Sequence, residues 1–166
     1  GLYETNNFNT YMGYEAGRGS SSGNASNTYN VGIGYQALKS ARTATQNVAV
    51  GHGAGASMDE GDYNALLGAS AGNAITDGAS NVAIGQSAGQ TMTTTTTTVL
   101  IGASAGYAIN STGANGTIAI GYEASKALTS GANQVSIGYQ AGKALTTAAN
   151  SVFIGYQAGL EHTGGN

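Results

Sequence analysis

One glycine recurs along this chain at an almost fixed interval. It stands at Gly13, Gly34, Gly51, Gly68, Gly85, Gly102, Gly121, Gly138 and Gly155, with spacings of 21, 17, 17, 17, 17, 19, 17 and 17 residues. The same string surrounds it each time, as in Asn30-VGIGYQAL, Asn47-VAVGHGAG, Asn81-VAIGQSAG and Ser151-VFIGYQAG. Such regularity marks a repeat architecture. A 17-residue unit is too short for two helices and a turn. It cannot bury an apolar face alone, so successive units must stack on one another.

Counting from the glycine, the third and first residues before it are apolar and mostly β-branched: Val31 and Ile33, Val48 and Val50, Val82 and Ile84, Val99 and Ile101, Ile118 and Ile120, Val135 and Ile137. Alternation of this kind predicts a short strand, and these two positions are expected to face the interior of the coil. The third residue after the glycine is alanine in every unit, from Ala16 to Ala158. The seventh is Met58, Ile75, Met92, Ile109, Leu128 or Leu145 in six units, Ala41 in another, and Ser20 and His162 in the outermost two. Both are read as inward. The fourth residue before the glycine is Asn in five units and Thr, Thr, Gln and Ser in the rest, which suits a polar ladder at a corner. The glycine itself is expected to need positive φ or a close backbone neighbour.

The residue two before the glycine is expected to point outward. It reads Tyr11, Gly32, Ala49, Leu66, Ala83, Leu100, Ala119, Ser136 and Phe153. An outer stripe with so little polarity predicts burial against another copy of the chain, and closed cyclic symmetry is the usual outcome. The expected fold is all-β: a β-solenoid of nine coils of about 17 residues, forming one repeat domain over residues 1–166 with the repeats at 9–159. At about 4.8 Å per coil the rod is roughly 40 Å long. The two longer spacings are read as insertions in return loops, at Arg18 to Tyr29 and Tyr107 to Gly116. Repeats reach both ends without a cap, and the chain begins at Gly1. Further coils or an end-to-end partner, as in a segment of a longer fibre protein, are therefore expected.

The 28 glycines and 8% charged residues would suit a disordered chain, were it not for the ordered repeat. Net charge is −3, and the five basic residues are dispersed at Arg18, Lys39, Arg42, Lys126 and Lys143. Nucleic-acid binding thus has no electrostatic basis. No apolar run is long enough for a membrane span, so no membrane insertion is expected. Absent cysteine excludes disulfide and thiolate chemistry.

No residue set points to catalysis, a metal or a cofactor, and the chain is read as a non-enzyme. His52 occupies the slot that is tyrosine in five other units and reads as a repeat substitution; His162 stands apart. Asp59, Glu60 and Asp62 lack the spacing of a calcium loop and read as a solvated turn. Glu15 and Glu123 share a variable slot and read as surface variants, not a catalytic pair. The segment from Ile84 to Gly89 matches one acyltransferase-type hexapeptide without continuation, and the segment from Gly138 to Ala144 lacks P-loop spacing. The threonine run Thr93 to Thr98 falls in one coil, whereas an ice-binding face needs the slot repeated. Asn24, Asn110 and Asn115 begin formal glycosylation sequons. The strongest binding candidate is the residue just after the glycine. It gives Tyr122, Tyr139 and Tyr156 in successive coils with Gln140 and Gln157 beside them, and Tyr14 and Tyr35 earlier in the chain. Aromatic rings flanked by amides suit sugar or protein surfaces; the same pattern also arises where rings merely stack to brace a coil.

The nine units, Asn81-VAIGQSAG and Ser151-VFIGYQAG above all, resemble the head repeats of YadA-like trimeric autotransporter adhesins and the IGYQA-type repeats of phage tail-fibre proteins. The resemblance covers residues 9 to 159, and the longer repeat here sides with the tail-fibre version. It implies a left-handed parallel β-roll, assembled as a homotrimer on a virion or cell surface, that contacts a host glycan or protein receptor. Two other functions fit the pattern: a self-assembling extracellular filament or matrix protein without a receptor, and an ice- or glycan-binding solenoid.

Overall fold

The computed structural model describes residues 8–21, 26–110 and 112–163. Nine three-residue strands form one parallel sheet in chain order: β1 (Thr10–Met12), β2 (Val31–Ile33), β3 (Val48–Val50), β4 (Ala65–Leu67), β5 (Val82–Ile84), β6 (Val99–Ile101), β7 (Ile118–Ile120), β8 (Val135–Ile137) and β9 (Val152–Ile154). Each strand meets the next in register, Val31 opposite Val48 and Val135 opposite Val152. The chain is a β-solenoid, with one strand per turn. Short 3-10 helices at Arg18–Ser21 and Thr112–Ala114 occupy the two longer spacings, so the insertions lie in the return path as expected.

The glycine corner has a double cause. At Gly68 φ is +138°, and a Cβ there would lie 2.6 Å from the carbonyl oxygen of Gly85 in the next coil. Only a residue without a side chain lets successive coils approach this closely at that angle. Behind the corner, Asn47, Asn64 and Asn81 form the expected buried ladder. Asn64 Nδ2 donates to Asn47 Oδ1 at 3.0 Å and to the Gly78 carbonyl at 2.9 Å, while Asn64 Oδ1 accepts from the Asn81 backbone N–H at 3.0 Å.

The strands correct the sequence reading. The middle residue of each strand faces the interior: Ala49, Leu66, Ala83, Leu100, Ala119 and Ser136 are all buried. The flanking Val, Ile and Leu residues face outward, with Val48 46% and Leu67 51% exposed. Interior width is the reason. The opposing wall is the invariant alanine, 0% exposed from Ala37 to Ala141, with the residue that follows it. That following slot is size-matched to the mid-strand slot. Leu66 lies against Gly55 and Gly72, and Leu100 against Gly89 and Gly106, so closely that a Cβ on any of these glycines would come within 2.9 Å of a leucine methyl. Where the mid-strand residue is Gly32, the following slot holds Leu38, fully buried. A pair of β-branched residues per coil does not fit between these walls. The seventh-residue slot behaves as expected, with Ala41, Met58, Ile75, Met92, Ile109, Leu128 and Leu145 at 0% exposure. The side chain of Ser20 lies outside the described residues.

An aromatic ring lies on the interior near each end of the described stack. The Tyr11 ring lies over Gly17 and Gly32, and the Phe153 ring lies over Gly159. His162 packs on Phe153 with ring centroids 5.6 Å apart. These rings pack against the apolar core in the first and last coils, and the outer backbone edges of β1 and β9 have no strand partner among the described residues.

Candidate functional site

The residue after each corner glycine projects from the coil, and stacking places these residues in a column. The column contains two aromatic ladders. Tyr14, Tyr35 and His52 form the first, with ring centroids 5.3 and 5.0 Å apart and interplanar angles of 13° and 7°. Tyr122, Tyr139 and Tyr156 form the second, at 5.4 and 5.3 Å with angles of 18° and 8°. Ala69, Gln86 and Ala103 separate them. The structure thus divides the predicted tyrosines into an N-terminal and a C-terminal set and adds His52 to the first, as its repeat slot implied. The rings stay accessible, from 44% at Tyr35 and Tyr139 to 73% at Tyr156.

Each ladder is flanked by the same polar assembly. At the second ladder, Glu123 accepts from Lys126 Nζ at 2.5 Å, from Lys143 Nζ at 2.7 Å and from Gln140 Nε2 at 3.0 Å, and Gln157 Nε2 donates to Gln140 Oε1 at 3.1 Å. At the first ladder, Glu15 meets Arg18 Nη1 at 2.5 Å, Lys39 Nζ at 3.2 Å and Gln36 Nε2 at 2.8 Å. The two carboxylates therefore stand six coils apart, each in its own clamp, and are no catalytic pair. Hydrogen bonds from Lys126 and Lys143 bring the Glu123 carboxyl down to about 2, against the desolvation that opposes them. Glu15 is also lowered, chiefly by Gln36 and then Lys39. Gln140 and Gln157 lie beside the tyrosines as predicted. The acidic and basic members of the clamps were missed. Their signal is legible in the strings GYEAGR and GYQALK at Gly13 and Gly34, repeated as GYEASK and GYQAGK at Gly121 and Gly138.

Several of the remaining candidates are engaged within the fold. Asp59 pairs with Arg42, and Asp62 accepts from the Thr45 backbone N–H at 2.7 Å and its hydroxyl at 2.8 Å. No cluster of three His, Cys, Asp or Glu residues suited to a metal occurs among the described residues. Threonine does recur at one slot, in Thr76, Thr93, Thr129, Thr146 and Thr163. Several of these hydroxyls donate to the next coil's backbone, Thr93 to the Asn110 carbonyl at 2.7 Å and Thr146 to the Thr163 carbonyl at 2.7 Å. Asn24 lies outside the described residues, Asn110 is exposed, and Asn115 Oδ1 accepts from the Thr96 backbone N–H at 2.9 Å.

The chain can present two aromatic columns with fixed amide and charged neighbours, a surface for contact. Compared with protein-family models, with curated proteins and with solved structures, it matches none.

Proposed function

We propose that this chain is a rigid segment of an extracellular trimeric fibre, of the phage tail-fibre or adhesin-head kind, that contacts a host surface and catalyses no reaction. The outward strand face carries the proposal. Fourteen Val and Ile residues, from Val31 to Ile154, stand there in two columns along the rod. The apolar stripe is about 34 Å long, and an unpartnered stripe of that size on such a rod marks an association surface. Its side chains repeat at the coil spacing, so a second copy of the same repeat can interdigitate with it at every turn. A cyclic trimer would place three stripes around one axis and leave the tyrosine columns outside. The oligomer first expected from the mid-strand residues is thus assigned to their neighbours instead.

The native mass in solution tests this. The expected result is a discrete mass of three chains that Ile84→Lys with Ile120→Lys converts to one chain, with the β-sheet circular dichroism kept. A monomeric native chain would overturn the proposal. An open-ended series of masses would support the filament, for which the edges of β1 and β9, without a strand partner among the described residues, speak.

A further inference from the structure

The two aromatic ladders have a fixed step. Ring centroids advance by 5.3 and 5.0 Å in the first ladder and by 5.4 and 5.3 Å in the second. A linear ligand that meets every ring must repeat at that step. An extended peptide shows the same side only at every second residue, about 6.6 Å apart. Stacked bases along a nucleic-acid strand advance by about 3.4 Å. Either loses register by the third ring. An extended chain of β-linked hexoses advances by nearly the ring step, one pyranose per coil.

The rings are not needed to hold the coils together. Ala69, Gln86 and Ala103 replace them in the middle coils, yet the backbone bonds across the slot persist. Ser87 N–H donates to the Ala69 carbonyl and Ser104 N–H to the Gln86 carbonyl, both at 2.9 Å, against 2.8 Å from Gln140 to Tyr122 and from Gln157 to Tyr139. Where the rings stop, the neighbouring amides stop too, and Ser70, Ser87 and Ser104 take their place. Rings and amides thus come and go as a unit. Within a ladder the rings cover one another's faces, so their edges and phenol hydroxyls meet the solvent. No phenol hydroxyl of the two ladders has a hydrogen-bond partner among the described residues. Ring edges, which are positive, and free hydroxyls suit sugar oxygens. Beside them the Gln36 amide is held by Glu15 at 2.8 Å and the Gln140 amide by Glu123 at 3.0 Å. Amides ordered in advance lose little freedom on binding. The clamp cations are neutralised by their carboxylates, so nothing in the site calls for a charged ligand.

We infer that each ladder binds an uncharged, extended β-linked hexose chain lying along the rod, one sugar ring per coil. The inference rests on the reading of the chain as a host-contacting surface and names the chemistry of that contact. Because the ligand is neutral, added salt leaves the affinity unchanged.

Calorimetric titration of the full chain tests it, with β-1,4-linked trisaccharides of glucose and of mannose, the α-1,4-linked glucose trisaccharide and an uncharged extended peptide. At least one β-linked trisaccharide is expected to bind about tenfold tighter than the α-linked one and the peptide, with or without added salt. Tyr35→Ala with Tyr139→Ala, which removes the middle ring of each ladder, should weaken binding by about tenfold or more. Tyr63→Ala, an exposed tyrosine outside both ladders, should leave it unchanged. Ala103→Tyr adds a fourth ring to the second ladder and should tighten a β-linked tetrasaccharide several-fold but not the trisaccharide. Absence of β-linked saccharide binding, binding indifferent to the double variant, or tighter binding of the peptide overturns the inference. A trimer that binds no β-linked saccharide removes the site and keeps the fibre; a monomer that binds one removes the fibre and keeps the site.

Discussion

Replacing Asn64 with alanine tests what holds the return loops to the strands. The Asn64 side chain is 2% exposed and makes bonds in three directions. Its loss orphans two buried backbone groups, the Asn81 N–H and the Gly78 carbonyl. Asn47 Oδ1 keeps the Asn64 backbone N–H at 2.8 Å, and Asn81 Nδ2 keeps the Thr95 carbonyl at 2.8 Å, so neither is stranded. Two unsatisfied buried groups cost about 1–3 kcal/mol each, so the expected loss is about 2–6 kcal/mol. A single domain has only about 5–15 kcal/mol in total, so the transition should move far or vanish. Urea unfolding followed by circular dichroism measures it. Thr146→Ala is the control, because its hydroxyl's bond to the Thr163 carbonyl, at 2.7 Å, is exposed; it should change stability by less than about 0.5 kcal/mol. A loss below about 1 kcal/mol for Asn64→Ala would refute the ladder as a source of stability.

Three further outcomes follow from single sites. Ser125→Gly should stabilise the chain by about 1 kcal/mol in the same urea assay, since Ser125 sits at φ 48° with a buried, unpartnered hydroxyl where neighbouring coils have Gly106 and Gly142. Gly68→Ala should prevent folding or cost several times more than Gly155→Ala, because both have strongly positive φ but only Gly68 has a carbonyl 2.6 Å from the added Cβ; equal thermal midpoints would contradict this. Glu123 is lowered in the folded state to about 2 from 4.5, so its contribution is fully present above pH 4.5 and disappears as pH falls toward 2. Glu123→Gln should flatten that limb of a stability-against-pH curve.

Much of the fold is legible because repetition writes each slot nine times. The glycine corner, the inward alanine, the seventh-residue slot, the asparagine ladder and the His52 substitution all emerge from alignment of the chain with itself. The strand faces do not. A period of two separates one face from the other, and hydrophobicity normally says which is inside. Here both faces are apolar, so that test has no power. Volume had the answer: Leu66 and Leu100 coincide with glycine after the nearby alanines, and Gly32 coincides with Leu38. Only residues sharing one narrow interior need to compensate in this way. The tyrosine columns are legible for the same reason as the corner. The clamps are less so, because each joins residues from two coils, and Glu15 alone does not announce Lys39.

The cross-coil ties change character along the rod. From Asn9 to Asn81 the coils are joined inside by asparagine, and the ladder ends where Thr98 Oγ1 donates back to Asn81 Oδ1 at 2.8 Å. Thr117 turns its hydroxyl to the Ala114 carbonyl of its own coil at 2.7 Å, and the buried amide of Gln134 has no partner. From Tyr122 onward the ties are outside, in the second aromatic ladder and the Glu123 clamp. Among the described residues neither system spans β6 to β7, where Asn115 Oδ1 instead accepts from the Thr96 backbone N–H at 2.9 Å. In a stack whose stability is a sum of nearest-neighbour terms, an interface without either ladder should be weaker than those that have one. Hydrogen exchange should show it. The Gly121 N–H, bonded to the Ile101 carbonyl at 2.7 Å, should exchange faster than the Gly68 N–H, bonded to the Val50 carbonyl at 2.8 Å, although the two occupy the same slot. The backbone bonds are alike, so faster exchange at Gly121 would point to the side chains around them. Equal protection at both glycines would mean that the parallel sheet alone sets the local stability and that the ladders add nothing to it.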